Sequence, residues 1–229
     1  MRLLLLIVFV LWLSPSLQEK DFSRLRDKMV KEQIVRRGIS DPSTLSSLRK
    51  VQRHLFVPDD LIDYSYDDRP LPIGFGQTIS QPYIVAYMTE IIKPRPDYIV
   101  LEIGTGSGYQ AAVLSGIVKE VYSIEIIDSL GNQAKNRLDK LNYKNVHVRS
   151  GDGYHGWKEK APFDAIVVTA AAEHIPPPLI SQLKENGRMI IPVGSPFMTQ
   201  QLMLVEKRKG RIRTSSMMPV QFVPFKRRQ

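Results

Sequence analysis

A chain of 229 residues with 43% hydrophobic residues is long enough to bury a substantial core and too apolar to be disordered. The complete lack of cysteine excludes disulfides, thiolate metal sites and any cysteine nucleophile. The net charge of +9 raises the question of an anionic partner, but the basic residues are dispersed. Their local clusters are Lys207-Arg208-Lys209, Arg211 with Arg213, and Lys226-Arg227-Arg228, and the first two flank Gly210 between strand-like runs, as in a solvated hairpin.

Met1-Arg2 is followed by eleven apolar residues, Leu3 to Leu13, and by Ser14-Pro15-Ser16. Charge, apolar run and small-residue exit make a secretory signal over residues 1–16, and the run is too short for a bilayer span, which takes about 20 residues. Export, in a bacterial cell to the periplasm, is expected, with no membrane span in the mature chain; an uncleaved anchor, or a cytoplasmic protein starting at Met29, is the alternative.

From Asp21 to Arg37 apolar Leu25, Met29, Ile34 and Val35 recur among charges, an amphipathic helix that Gly38 ends. Ser40-Asp41-Pro42 caps a second helix running through Val51. Residues 56–82 lack periodicity and mix hydroxyls and amides with glycine and proline, which reads as a binding loop. A helix over Tyr83 to Ile92 follows, and Pro94 and Pro96 end it. Residues 17–96 are expected to pack as helices and a substrate loop against a core of 97–229, in one compact domain.

Ile99 to Ile103 is an apolar, β-branched run suited to a strand buried on both faces. Gly104, Gly106 and Gly108 then alternate with Thr105 and Ser107 before a helix beginning near Gln110. Such glycines let backbone approach a ligand closely. A dinucleotide fingerprint needs G-x-G-x-x-G, but Tyr109 stands three after Gly106, so nicotinamide binding is weakened. The strand Val121 to Glu125 ends in an acid about 20 residues on, placed for a ribose diol. Taken singly the glycines read as a tight turn and Glu125 as a solvated strand end; in this order they describe an adenosine site.

A helix over Ser129 to Leu141, a strand at Val146 to Val148, Gly151-Asp152-Gly153, a strand at Phe163 to Thr169, a short helix at Pro178 to Lys184 and a strand at Arg188 to Val193 complete an alternating series. That rhythm predicts an α/β fold with a doubly wound, Rossmann-like parallel sheet, ligands lying at the carboxyl ends of its strands. Gln201 to Glu206 and Gly210 to Phe222 are two further strands, antiparallel at the sheet edge. His54, His147, His155 and His174 lack metal-ligand spacing, and no Ser-His-Asp arrangement is evident.

Three segments resemble the protein-L-isoaspartate O-methyltransferase family: GQTISQPYIVAYMTE (Gly76 to Glu90), VLEIGTGSGYQAAVLS (Val100 to Ser115), and GDGYHGW with APFDAIVVTAAAEHIP (Gly151 to Trp157 and Ala161 to Pro176). The likeness runs from about Met29 to the closing Val220 to Phe225. It implies a class I methyltransferase using S-adenosyl-L-methionine and acting on isoaspartyl-containing proteins and peptides; no nucleic-acid partner, no metal and a monomeric chain are expected beside it. It further implies that Ser80 is the active-site hydroxyl with Thr78 beside it. Gln77, Ile79, Val223 and Pro224 would hold the peptide. Glu102 and the loop Gly104, Thr105, Gly106, Ser107 and Gly108 would hold the methionine part of the cofactor, Glu125 the ribose, and Asp152 with Gly153 the adenine. The competing expectations are a methyltransferase of RNA or a small molecule, and a binding protein without catalysis. The stretch Thr169-Ala170-Ala171-Ala172-Glu173 lacks an aromatic platform for a flipped base, which counts against RNA.

Overall fold

The computed structural model describes residues 21–195 and 198–228, so the leader expected over residues 1–16 lies outside the described residues. Helix α1 (Phe22–Lys28) opens on an Asp21 cap, whose carboxylate accepts from Arg24 N–H at 3.0 Å. The single helix expected to Arg37 is instead three pieces, with a π-helical turn over Met29–Ile34 and a 3-10 turn over Val35–Arg37 before Gly38 at φ +95°. Widening the turn draws Met29 and Ile34, five apart, toward one face, and both are fully buried. Helix α2 (Pro42–Lys50) takes Asp41 as its cap and Pro42 as its first residue.

The segment read as a binding loop holds a small antiparallel hairpin, β1 (Leu71–Gly74) with β2 (Gln77–Ile79). Strands of four and three residues are too short to show a period, but Leu71, Ile73 and Ile79 are buried and anchor them. Helix α3 (Pro82–Ile91) follows directly.

The main sheet contains β3 (Ile99–Ile103), β4 (Glu120–Glu125), β5 (Val146–Ser150), β6 (Phe163–Val168), β7 (Leu183–Val193), β8 (Gln200–Arg208) and β9 (Arg211–Val220) in the order β5-β4-β3-β6-β7-β8-β9. The first five pair in parallel and the last two are antiparallel, as the alternation of elements predicts. Helices α4 (Tyr109–Ser115), α5 (Asp128–Lys140) and α6 (Pro177–Ser181) connect the parallel strands. β7 begins five residues earlier than its apolar run suggests, so the helix expected to Lys184 stops at Ser181. Fully buried Leu183 pairs with Phe163, and an irregularity with Asn186 at φ +63° absorbs the polar residues that hid the strand.

Apolar side chains fill both faces of this sheet. Val100 belongs to the cluster beneath the N-terminal helices, while Leu101 and Ile103 belong to the opposite cluster. The Ser47 hydroxyl donates to the Val113 carbonyl at 2.6 Å, tying α2 to α4. The β8–β9 turn is the expected basic hairpin; the Lys209 and Gly210 N–H groups both donate to the Glu185 carboxylate. No helix among the described residues is long and apolar enough to cross a membrane.

Candidate active site

β3 lies between β4 and β6, so the chain leaves it on one side and returns on the other. In open α/β sheets that reversal opens a crevice beyond the carboxyl ends of the two central strands. The glycine loop follows β3 and Thr169 follows β6. The Thr169 hydroxyl donates to the Gly104 carbonyl at 2.7 Å, and its N–H to the Ile103 carbonyl at 2.9 Å. A Cβ on Gly104, which sits at φ +94°, would lie 2.4 Å from the Thr169 hydroxyl oxygen. Only glycine permits this closure of the two loops.

Glu125 ends β4 and reaches across to the same loop. One carboxylate oxygen accepts from Gly106 N–H at 2.8 Å and the other from Ile127 N–H at 3.0 Å. Glu102 stands opposite Ser123 in the β3–β4 pairing, and one of its oxygens accepts from the Ser123 hydroxyl. That hydroxyl is 2.6 Å from the Thr105 hydroxyl in the loop above. The other Glu102 oxygen is buried with no partner. Burial pushes this carboxyl up to about 8; the Ser123 bond works against the shift and the Glu125 charge adds to it.

The loop encloses a narrow cleft of about 70 Å³, lined by Gln77, Thr78, Ile79, Ser80, Val85, Gly104, Thr105, Gly106, Ser107, Tyr109, Gln110, Glu125, Thr169, Ala170 and Val223. A wider groove of about 730 Å³ shares Thr78, Ser80, Thr169 and Val223 with it and adds Arg37, Tyr83, Met198, Met218 and Phe222. The β1–β2 hairpin and the chain after β9 therefore meet the glycine loop at one place. Ser80 is not the cap of α3, a position held by Gln81, and it borders both cavities.

Most residues singled out from the sequence converge there: Gln77, Thr78, Ile79, Ser80, Gly104, Thr105, Gly106, Ser107, Glu125 and Val223. Five do not line the cleft. Glu102 lies fully buried beneath the loop, and Gly108 precedes α4 with Leu138 against it. Gly153 packs on Ile103. Asp152 is engaged by the C-terminal tail, accepting from Arg227 Nε at 2.9 Å and Arg228 N–H at 3.2 Å. Burial alone would raise its pKa, but these donors and the Tyr154 N–H hold it below the usual carboxylate range. Pro224 pairs with Ala171 and lines a separate cavity of about 340 Å³ beside Tyr154, His174 and Phe225.

Sequence reasoning missed Tyr109, Gln110 and Ala170 in the cleft, and Arg37 and Tyr83 in the groove. It missed Thr169 too, although a polar residue closing the apolar run Ile166-Val167-Val168 is a usable signal under the strand-end rule. Elsewhere, His54 Nδ1 pairs with the Tyr66 hydroxyl at 2.8 Å and His147 Nε2 with Glu120 at 2.6 Å. Among the described residues no group of three His, Asp or Glu is placed to hold a metal.

Comparison with known proteins agrees with this geometry. A family model described as protein-L-isoaspartate(D-aspartate) O-methyltransferase matches residues 24–229. A protein-L-isoaspartate O-methyltransferase 1 of Nitrosospira multiformis is 58% identical over 213 residues, covering 92% of this chain and 90% of the relative. A protein-L-isoaspartate O-methyltransferase of Opitutus terrae is 54% identical over 224 residues, 98% of this chain and 96% of its own. A solved protein-L-isoaspartate O-methyltransferase superposes with TM-score 0.80 at 30% identity, over 87% of this chain and 65% of that one. The Plasmodium falciparum structure solved with S-adenosyl-L-homocysteine gives TM-score 0.75 at 26% identity, over 91% of this chain and 99% of that one. With a family model spanning the chain from Arg24 onward and relatives of this identity over nearly its whole length, the chain belongs to the protein-L-isoaspartate O-methyltransferase family.

Proposed function

We propose that this protein transfers the methyl group of S-adenosyl-L-methionine to the free carboxylate of isoaspartyl residues in damaged proteins, a repair reaction. The observation that carries this is the meeting of Thr78 and Ser80 with the glycine loop in one cleft that opens into a groove large enough for peptide.

The residues present fit the cofactor. Gly104, Thr105, Gly106 and Ser107 line the cleft side by side, and Glu125 stands at its rim. Gly104, Gly106 and Glu125 would hold the methionine and ribose parts from the cleft wall, with Glu102 beneath the loop; Asp152 and Gly153, to which the resemblance gives the adenine, lie outside the cleft. When bound, the cofactor supplies an electrophilic methyl on a sulfonium.

The chain's own residues have a limited task. An α-carboxylate with a reference pKa of roughly 3.5 is ionised at neutral pH, so no general base is required. Ser80 and Thr78 orient it by donating hydrogen bonds, as neutral hydroxyls that leave its protonation alone. Ile79 and Val223 keep water from the cleft, and orientation of this kind supplies several kcal/mol. Once the carboxylate is esterified, the following backbone nitrogen attacks the ester carbonyl and methoxide leaves with the nitrogen's proton as methanol, and water opens the resulting succinimide partly to normal aspartate.

Export remains part of this proposal. It is supported by the composition of residues 1–16, and a start at Met29 would remove α1, whose Phe22 stacks on His54 at 4.0 Å. A monomer is part of the same proposal.

Purified protein should methylate an isoaspartyl peptide and leave both its aspartyl isomer and RNA unmodified. Methylation of RNA but not of the peptide rejects the assignment. N-terminal sequencing of the mature protein with cell fractionation tests export; an intact Met1 in the cytoplasmic fraction rejects it.

A further inference from the structure

Arg53 is fully buried, and none of the ion pairs formed among the described residues includes it. Its Nε donates to the Ser65 carbonyl at 2.8 Å and its Nη2 to the Ser80 carbonyl at 2.7 Å. Nη1 is buried without an acceptor. The guanidinium lies 4.8 Å from the centre of the Tyr109 ring, and the neutral Tyr109 hydroxyl, which has no other partner, interacts with it and helps keep it charged. Burial lowers the Arg53 pKa to about 10, with Tyr109 opposing the shift, so the side chain stays charged at neutral pH.

A buried cation without a carboxylate costs stability, and two carbonyls with one ring face compensate it only in part. Both residues it touches toward the site, Ser80 and Tyr109, line the cleft. The surplus charge therefore lies directly behind the wall at which a carboxylate has to be received.

We infer that Arg53 is a positioning residue for the methyl acceptor: it pins the Ser80 backbone, and its unneutralised charge favours an anionic acceptor over a neutral one of the same shape. The inference rests on the isoaspartyl reading of this cleft. Arg53 touches neither substrate nor cofactor and acts through Ser80 and through the field in a low-dielectric wall, where charges interact strongly.

The test uses the full chain, an isoaspartyl peptide and its carboxamide counterpart, with both dissociation constants measured in the presence of S-adenosyl-L-homocysteine. Arg53→Met removes the charge at similar volume, and Arg53→Lys keeps the charge without the planar fork. For Arg53→Met the preference for carboxylate over carboxamide should fall about tenfold, while S-adenosyl-L-homocysteine binds as in the wild type. For Arg53→Lys the preference should persist while kcat falls about tenfold, the scale of one lost oriented hydrogen bond. A folded Arg53→Met protein with unchanged preference overturns the inference. If Arg53→Met does not fold, Arg53→Lys decides alone, and wild-type kcat there overturns it. Wild-type protein that binds S-adenosyl-L-homocysteine but neither peptide rejects the isoaspartyl function itself and this inference with it, a result distinct from an unchanged preference.

Discussion

The Glu125 carboxylate accepts a hydrogen bond from the Gly106 backbone N–H at 2.8 Å, so an acid at the end of β4 holds the glycine loop that follows β3. The loop's shape is thus set partly by the group assigned to the ribose. Glu125→Ala should weaken S-adenosyl-L-homocysteine binding by about tenfold to a hundredfold, the scale of a lost hydrogen bond to a charged group. Calorimetry measures this; wild-type affinity excludes Glu125 from the cofactor site.

Ser80 is expected to orient and not to attack. Ser80→Ala should lower kcat roughly tenfold to a hundredfold through poorer alignment of the carboxylate, with S-adenosyl-L-homocysteine affinity unchanged. Steady-state kinetics on an isoaspartyl peptide read this out. Loss of all turnover in a folded variant argues instead for a covalent role.

Glu102 makes stability depend on pH with a definite sign. Its folded pKa of about 8 exceeds the ordinary value of 4.5, so the folded protein holds this proton more tightly than the unfolded chain. The stabilisation is complete below about pH 4.5 and is lost as pH rises toward 8. Glu102→Gln removes the dependence, so between pH 5 and pH 8 the variant should gain on wild type by up to a few kcal/mol. Urea midpoints at both pH values check this, and parallel behaviour of the two proteins rejects it.

The C-terminal tail competes for the residue assigned to adenine. Arg227 and Arg228 both donate to Asp152, and the Arg227 guanidinium lies 3.6 Å over the Tyr154 ring. Arg227→Ala, which removes the side-chain donor while the Arg228 contact is through backbone, should tighten S-adenosyl-L-homocysteine binding roughly threefold at low salt, the scale of a half-exposed ion pair. Weaker binding shows that Arg227 forms part of the cofactor wall instead.

The sequence alone determined the parallel sheet and its glycine loop. β3, β4, α5 and β6 lie within two residues of their expected places, because buried β-branched runs and helical periodicity are local properties that side-chain type dictates. The roles expected of Ser80 and Thr78 came from likeness to a family, since a hydroxyl in an aperiodic stretch carries no local mark of function. Only the tertiary structure decided which distant groups meet: Arg53 with Ser80, 27 residues apart, and Asp152 with Arg227, 75 apart. Such pairs form where packing of the whole chain delivers them, and no spacing within a single element encodes that.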